Sequence, residues 1–176
     1  MDERFISKLK DIIIEAGRIS ISLRNEGLTV EHKKDSSPVT NADIEISNFI
    51  YSELTKLDQA IPIICEEQPL KDVVGKEMIW LVDPIDGTKS FLRGFPVWST
   101  LIALVEVNGS SHEVVVGLVS SPALARTWFA TKGGGAYTTF ATQNKGQPRK
   151  INVSKVSEIK DAHVGYSDFV GFGNRL

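Results

Sequence analysis

The chain of 176 residues is 41% hydrophobic, carries a formal charge of -2 at pH 7 and contains one cysteine, Cys65. That length supports one substantial core and argues against two full domains. The dispersed Lys and Arg residues give no footing for nucleic acid or an anionic membrane, and a lone cysteine excludes an internal disulfide.

In chain order, Phe5, Leu9, Ile12, Ile13, Ala16, Ile19 and Leu23 recur at helical steps and draw one apolar stripe, which predicts a helix from Asp2 to Asn25 with Asn25-Glu26-Gly27 as its stop. A polar loop follows from Lys33 to Pro38. Thr40 is the expected N-cap of a second helix, in which Ile44, Ile46, Phe49, Ile50 and Leu54 fall mostly on one side and Asp43 lies in the first turn. From Ile61 onward, short apolar runs at 61–65, 78–83, 98–107, 113–121, 126–131 and 135–140 predict strands. Asn108-Gly109 signals a hairpin between the third and fourth of them. Gly133-Gly134-Gly135 lacks the Lys-Ser/Thr of a nucleotide loop and reads as a turn, and Thr142 to Arg149 reads as a surface loop. The expected fold is α+β, with two N-terminal helices packed on a largely antiparallel sheet of about six strands in a single domain, 1–176.

No apolar stretch approaches the length of a bilayer span. Met1-Asp2-Glu3-Arg4 lacks the basic start and apolar core of a signal peptide, so a cytoplasmic location is expected. Cys65, ending an apolar strand, is expected to be a packed small hydrophobe. His32, His112 and His163 are scattered without chelating spacing, and Trp80, Trp98 and Trp128 sit in or beside strands, where aromatics fill cores.

The chemistry concentrates in Trp80-Leu81-Val82-Asp83-Pro84-Ile85-Asp86-Gly87-Thr88, an apolar run that ends on two carboxylates, a glycine and a hydroxyl. Upstream, Ile61-Pro62-Ile63-Ile64-Cys65-Glu66-Glu67 repeats the layout, so a second strand can bring Glu66 to the same place. Clustered carboxylates form an oxygen-only ligand set that suits Mg²⁺ or Mn²⁺ over softer metals. Asp-Pro and Asp-Gly alone are ordinary turn formers. Here Pro84 also fixes the chain direction between the acids, Gly87 allows close backbone approach, and Thr88 sits where a helical turn can begin and offer N–H groups to an anion.

Glu66-Glu67, then Asp83-Pro84-Ile85-Asp86-Gly87-Thr88, then Phe91 resembles the signature of the inositol monophosphatase superfamily of Mg²⁺-dependent, lithium-sensitive phosphatases. The following stretches, Lys89 to Trp98, Gly117 to Leu124 and Trp128-Phe129-Ala130, resemble the actinobacterial histidinol-phosphate phosphatases. The resemblance implies the first half of a layered αβαβα fold. It also implies that Glu66 binds a first metal, Asp83 bridges two metals, the Ile85 carbonyl completes the first site and Asp86 holds the second. Thr88 would be the water-activating threonine and Asp43 its partner, with Gly87 and Thr88 N–H groups on the substrate phosphate. Lys33 or Lys34 matches a loop that helps hold a further metal. About two or three Mg²⁺ ions are implied, with Mn²⁺ as a substitute and Li⁺ as an inhibitor. Glu67 is either an acid orienting water or a ligand, or simply exposed, and Ser167 is a candidate polar contact.

Family members continue into a second domain that supplies another metal-binding aspartate after a tryptophan. This sequence has no Trp-Asp pair, and the expectation is a chain carrying the first domain alone. Three readings stand. The first is a phosphomonoesterase acting on a small phosphorylated metabolite, with L-histidinol phosphate ahead of inositol 1-phosphate. The second is an inactive metal- or phosphate-binding module. The third is a structural domain whose acids merely end strands. The resemblance also suggests a homodimer.

Overall fold

Helix α1 (Glu3–Glu26) starts where the Asp2 carboxylate accepts the Arg4 N–H at 3.1 Å, and it ends at Gly27, whose N–H reaches the Leu23 carbonyl. The computed structural model of the protein describes residues 2–32, 38–68, 73–141 and 146–163. The stripe read from the sequence is the buried face of α1: Leu9, Ile12, Ile13 and Ala16 point into the core. Gly17 faces it too, where an added Cβ would lie 3.1 Å from Pro122 Cβ, so the helix runs close to the short 3₁₀ turn at Pro122–Leu124.

Helix α2 (Asn41–Leu57) begins with a capping box, as Thr40 Oγ1 accepts from the Asp43 N–H while Asp43 Oδ2 accepts from the Thr40 N–H at 2.7 Å. Thr40→Ala removes one half of this box and should lower the unfolding free energy by about 1–2 kcal/mol, seen as a lower urea midpoint at unchanged slope.

Strands β1 (Val30–His32) and β2 (Pro38–Thr40) form a two-stranded antiparallel ribbon ahead of α2. The main sheet has seven strands in sequence order: β3 (Ile63–Cys65), β4 (Met78–Asp86), β5 (Ser99–Asn108), β6 (Ser111–Ser121), β7 (Arg126–Thr131), β8 (Gly135–Phe140) and β9 (Arg149–Ile151). A third helix, α3 (Thr88–Arg93), follows β4 directly. Asn108-Gly109 turns the β5–β6 hairpin as expected, and the glycine run turns β7 into β8. One sheet face packs on α1 and α2, where Trp80, Val82, Ile102, Leu104, Val116 and Leu118 meet Leu9, Ile13, Ile46 and Ile50. Burying each such side chain contributes about 1.5–3 kcal/mol, enough to fix which face of β4 turns inward.

The α+β class holds, with three helices and a mostly antiparallel mixed sheet. The additional strand is β9: Arg149-Lys150-Ile151 offers no apolar run and pairs only as a partly exposed edge. The ribbon escapes notice for the same reason, since Val30, Glu31 and His32 are all exposed. Among the described residues no helix is long and apolar enough to cross a membrane.

Candidate metal and phosphate site

Strands β3 and β4 run parallel, in register at Ile63 with Trp80 and Cys65 with Val82, whereas the other described neighbours in the main sheet pair antiparallel. An antiparallel pair would set the end of one strand against the start of the other. Parallel pairing sets the C-terminal end of β3 level with Val82 in the second half of β4, and the Glu66 N–H extends the ladder to the Val82 carbonyl at 3.2 Å. Glu66 and Asp83, which follow the paired Cys65 and Val82, flank the same cavity of about 380 Å³.

Asp86 needs a further device. Side chains three apart on a regular strand point to opposite faces. Here the register breaks between Asp83, opposite Leu101, and Asp86, opposite Ser99. Pro84 and Ile85 on β4 thus face the single residue Thr100, and this one-residue bulge offsets the alternation. Gly87 then takes φ 84° and ψ 40°, and an added Cβ there would sit 3.2 Å from the Val97 carbonyl, so both conformation and space require glycine. The Gly87 carbonyl accepts the Ser90 and Phe91 N–H groups at 2.8 and 3.0 Å, starting α3, and fully buried Phe91 meets Trp98 edge-on at 4.8 Å to anchor it.

The electrostatics single out Asp83. Burial, then the charges of Glu66 and Asp86, push its carboxyl up to about 7, opposed by the Ile85 backbone N–H and raised slightly further by Asp43. Its Oδ1 is buried with no hydrogen-bond partner. A buried acid oxygen without a donor, in the field of neighbouring carboxylates, is a demand for positive charge, and an all-oxygen set fits a hard divalent cation. As the side chains stand, no three His, Cys, Asp or Glu among the described residues close around one point. The acids therefore converge electrostatically without forming a finished cage.

A pH signature follows. Because folding raises the Asp83 pKa above its ordinary value of 3.8, the penalty on the fold is absent below that value and is fully present above about 7. In EDTA, the stability of wild type relative to Asp83→Asn should fall between about pH 4 and about pH 8, measured as the difference in melting temperature. A pH-independent difference would contradict the assignment.

Asp43 is 2% exposed, and its Oδ2 is committed to Thr40, taking the backbone N–H at 2.7 Å and the hydroxyl at 2.5 Å. Helix α3 packs against β2, whose last residue, Thr40, caps α2 and bonds Asp43. The Thr88 hydroxyl donates to the Ile85 carbonyl at 3.1 Å. Asp86 and Glu66 are exposed and Glu67 is half-buried. Lys33, Lys34 and Ser167 lie outside the described residues. His32, His112 and His163 are exposed, and the groups that raise Asp83 by their charge are carboxylates. Cys65 is 3% exposed with Ser47 Oγ 3.1 Å away, and burial pushes its thiol up, as suits a packed hydrophobe. One contact has no signal in the sequence: Thr100 Oγ1 donates to the Pro84 carbonyl at 2.9 Å.

The profile of the Inositol monophosphatase family matches residues 2–169. A histidinol-phosphatase of Streptomyces coelicolor is 39% identical over 145 residues, covering 82% of this chain and 53% of that protein. A 3'(2'),5'-bisphosphate nucleotidase CysQ of Aggregatibacter actinomycetemcomitans is 37% identical, covering 73% of this chain and 49% of that one. Among solved structures, an IMPase of Thermotoga maritima superimposes with a TM-score of 0.71 at 31% identity over 88% of this chain and 55% of its own. The chain spans about half the length of the curated relatives it matches. With the family profile spanning nearly all of its residues and the fold shared, the chain belongs to the inositol monophosphatase family.

Proposed function

We propose that this chain carries the cation-binding acids of a Mg²⁺-dependent phosphomonoesterase that converts a small phosphate monoester and water to alcohol and inorganic phosphate. The observation that carries the reading is Asp83: a partly buried carboxyl with a buried, unpartnered oxygen and a raised pKa, where the end of β3 lies parallel to β4. Glu66, Asp83, Asp86 and the Ile85 carbonyl would hold the cations, and bound divalent cations supply charge neutralisation at the phosphoryl and departing oxygens. Thr88 positions the attacking water, and its hydroxyl passes the proton it takes to Asp43, since an isolated hydroxyl is too weak a base at neutral pH. Gly87 and Thr88 N–H groups would take phosphate oxygens.

L-histidinol phosphate is the preferred substrate, supported by the Streptomyces relative, with myo-inositol 1-phosphate second. A nucleoside 3',5'-bisphosphate is the competitor that the CysQ relative brings in. The reading extends to a cytoplasmic enzyme that is inhibited by Li⁺ and works as a homodimer. A second reading, cation binding without turnover, draws on the open arrangement of the acids. Phosphate release from the three substrates, with and without Mg²⁺ and Li⁺, tests both. Mg²⁺-dependent release fastest on histidinol phosphate supports the first, Mg²⁺ binding without release supports the second, and absence of both overturns the site.

A further inference from the structure

We propose that Thr100, on β5, is a positioning residue that holds the acid loop in shape for cation binding, an inference that rests on the reading of that loop as the cation site. Thr100 is fully buried on the helix-covered face of the sheet, between the buried apolar side chains of Trp98 and Ile102 two residues to either side. Valine has the same shape, favours strands and buries no hydroxyl, so packing alone gives no reason for threonine there. The reason lies across the strand. At the bulge β4 spends Pro84 and Ile85 where β5 spends only Thr100, which leaves the ladder short of one backbone donor. The Thr100 hydroxyl supplies it, donating to the Pro84 carbonyl at 2.9 Å.

The next carbonyl, that of Ile85, accepts the Thr88 hydroxyl at 3.1 Å. Two hydroxyls thus pin the last two of the three peptide planes that separate Asp83 from Asp86, one from the sheet interior and one from the first turn of α3. Without the Thr100 bond the buried Pro84 carbonyl would lose that donor, and the plane carrying it could rotate to find another. That rotation moves the Ile85 carbonyl and changes the angle at which Asp83 and Asp86 leave the strand. The hydroxyl touches neither cation nor substrate and acts only through the backbone it fixes.

Thr100→Val and Thr100→Ser, each with wild type, separate hydroxyl from shape. Calorimetric titration with Mn²⁺ should show Thr100→Val weakened by about tenfold or more and Thr100→Ser within about threefold of wild type. In EDTA, amide hydrogen exchange should quicken in the peptide spanning 83–88 in Thr100→Val, stay near wild type in Thr100→Ser, and remain unchanged along β6 in both. Wild-type Mn²⁺ affinity in Thr100→Val, or equal losses in Val and Ser variants, overturns the proposal. If wild type itself binds no Mn²⁺, the reading of the cation site fails, and unchanged loop exchange in Thr100→Val then rejects the anchoring role by itself.

Discussion

Asp83→Asn should reduce Mg²⁺-dependent phosphate release by at least about a hundredfold, since the acid proposed to be shared between cations loses its charge while keeping its shape. The same substitution should make the metal-free protein more resistant to heat above about pH 7, where wild type carries an ionised, partly buried carboxylate beside Glu66 and Asp86. Opposite effects on function and on metal-free stability distinguish a ligand from a structural acid. A structural Asp83 would lose stability on substitution and leave any activity in proportion to the folded fraction. Mg²⁺ should raise the wild-type melting temperature, with about 2.7 kcal/mol gained at a hundredfold excess over the dissociation constant, and should leave Asp83→Asn nearly unmoved.

Asp43→Asn should lower turnover by about a hundredfold to ten-thousandfold while Mn²⁺ affinity stays within about threefold of wild type. The choice of asparagine matters because Asp43 has a structural duty as well. Its Oδ2 accepts the Thr40 N–H and hydroxyl, and an asparagine carbonyl oxygen can take both bonds, so α2 keeps its start. Asparagine cannot receive the proton that Thr88 would pass on. In Asp43→Ala, by contrast, the lost cap would confound stability with chemistry. Full turnover in a folded Asp43→Asn would remove Asp43 from the mechanism and leave Thr88 without a base. In the described structure the Thr88 hydroxyl points its proton at the Ile85 carbonyl. An Ile85 carbonyl engaged by a cation would become a poorer acceptor, freeing that proton for the route to Asp43.

Much of this was legible in residue order because each element is specified locally. The stripe from Leu9 to Ala16 and the Thr40 cap mark helices by their own spacing, and Asn108-Gly109 marks a hairpin from two residues. Two runs ending on acids suggested that Glu66 and Asp83 meet but not how their strands pair, and the parallel pairing of β3 with β4 is what puts them on one level. Periodicity stops working where pairing is set by neighbours. β1, β2 and β9 are three residues each, too short to show a period, and their partners, not their composition, make them strands. The bulge opposite Thr100 is likewise invisible in the sequence, because one residue facing two is a property of two chain segments sixteen residues apart. Chain order lists the acids, and the register brings Glu66 level with Asp83.

The most direct test of the central claim is an equilibrium Mn²⁺ titration of the metal-free chain, followed by the paramagnetic resonance of the free ion. Acids gathered at the ends of β3 and β4 predict saturable removal of free Mn²⁺ that is lost in Glu66→Gln and in Asp83→Asn. A titration that tracks buffer alone, or binding that survives both substitutions, would contradict it.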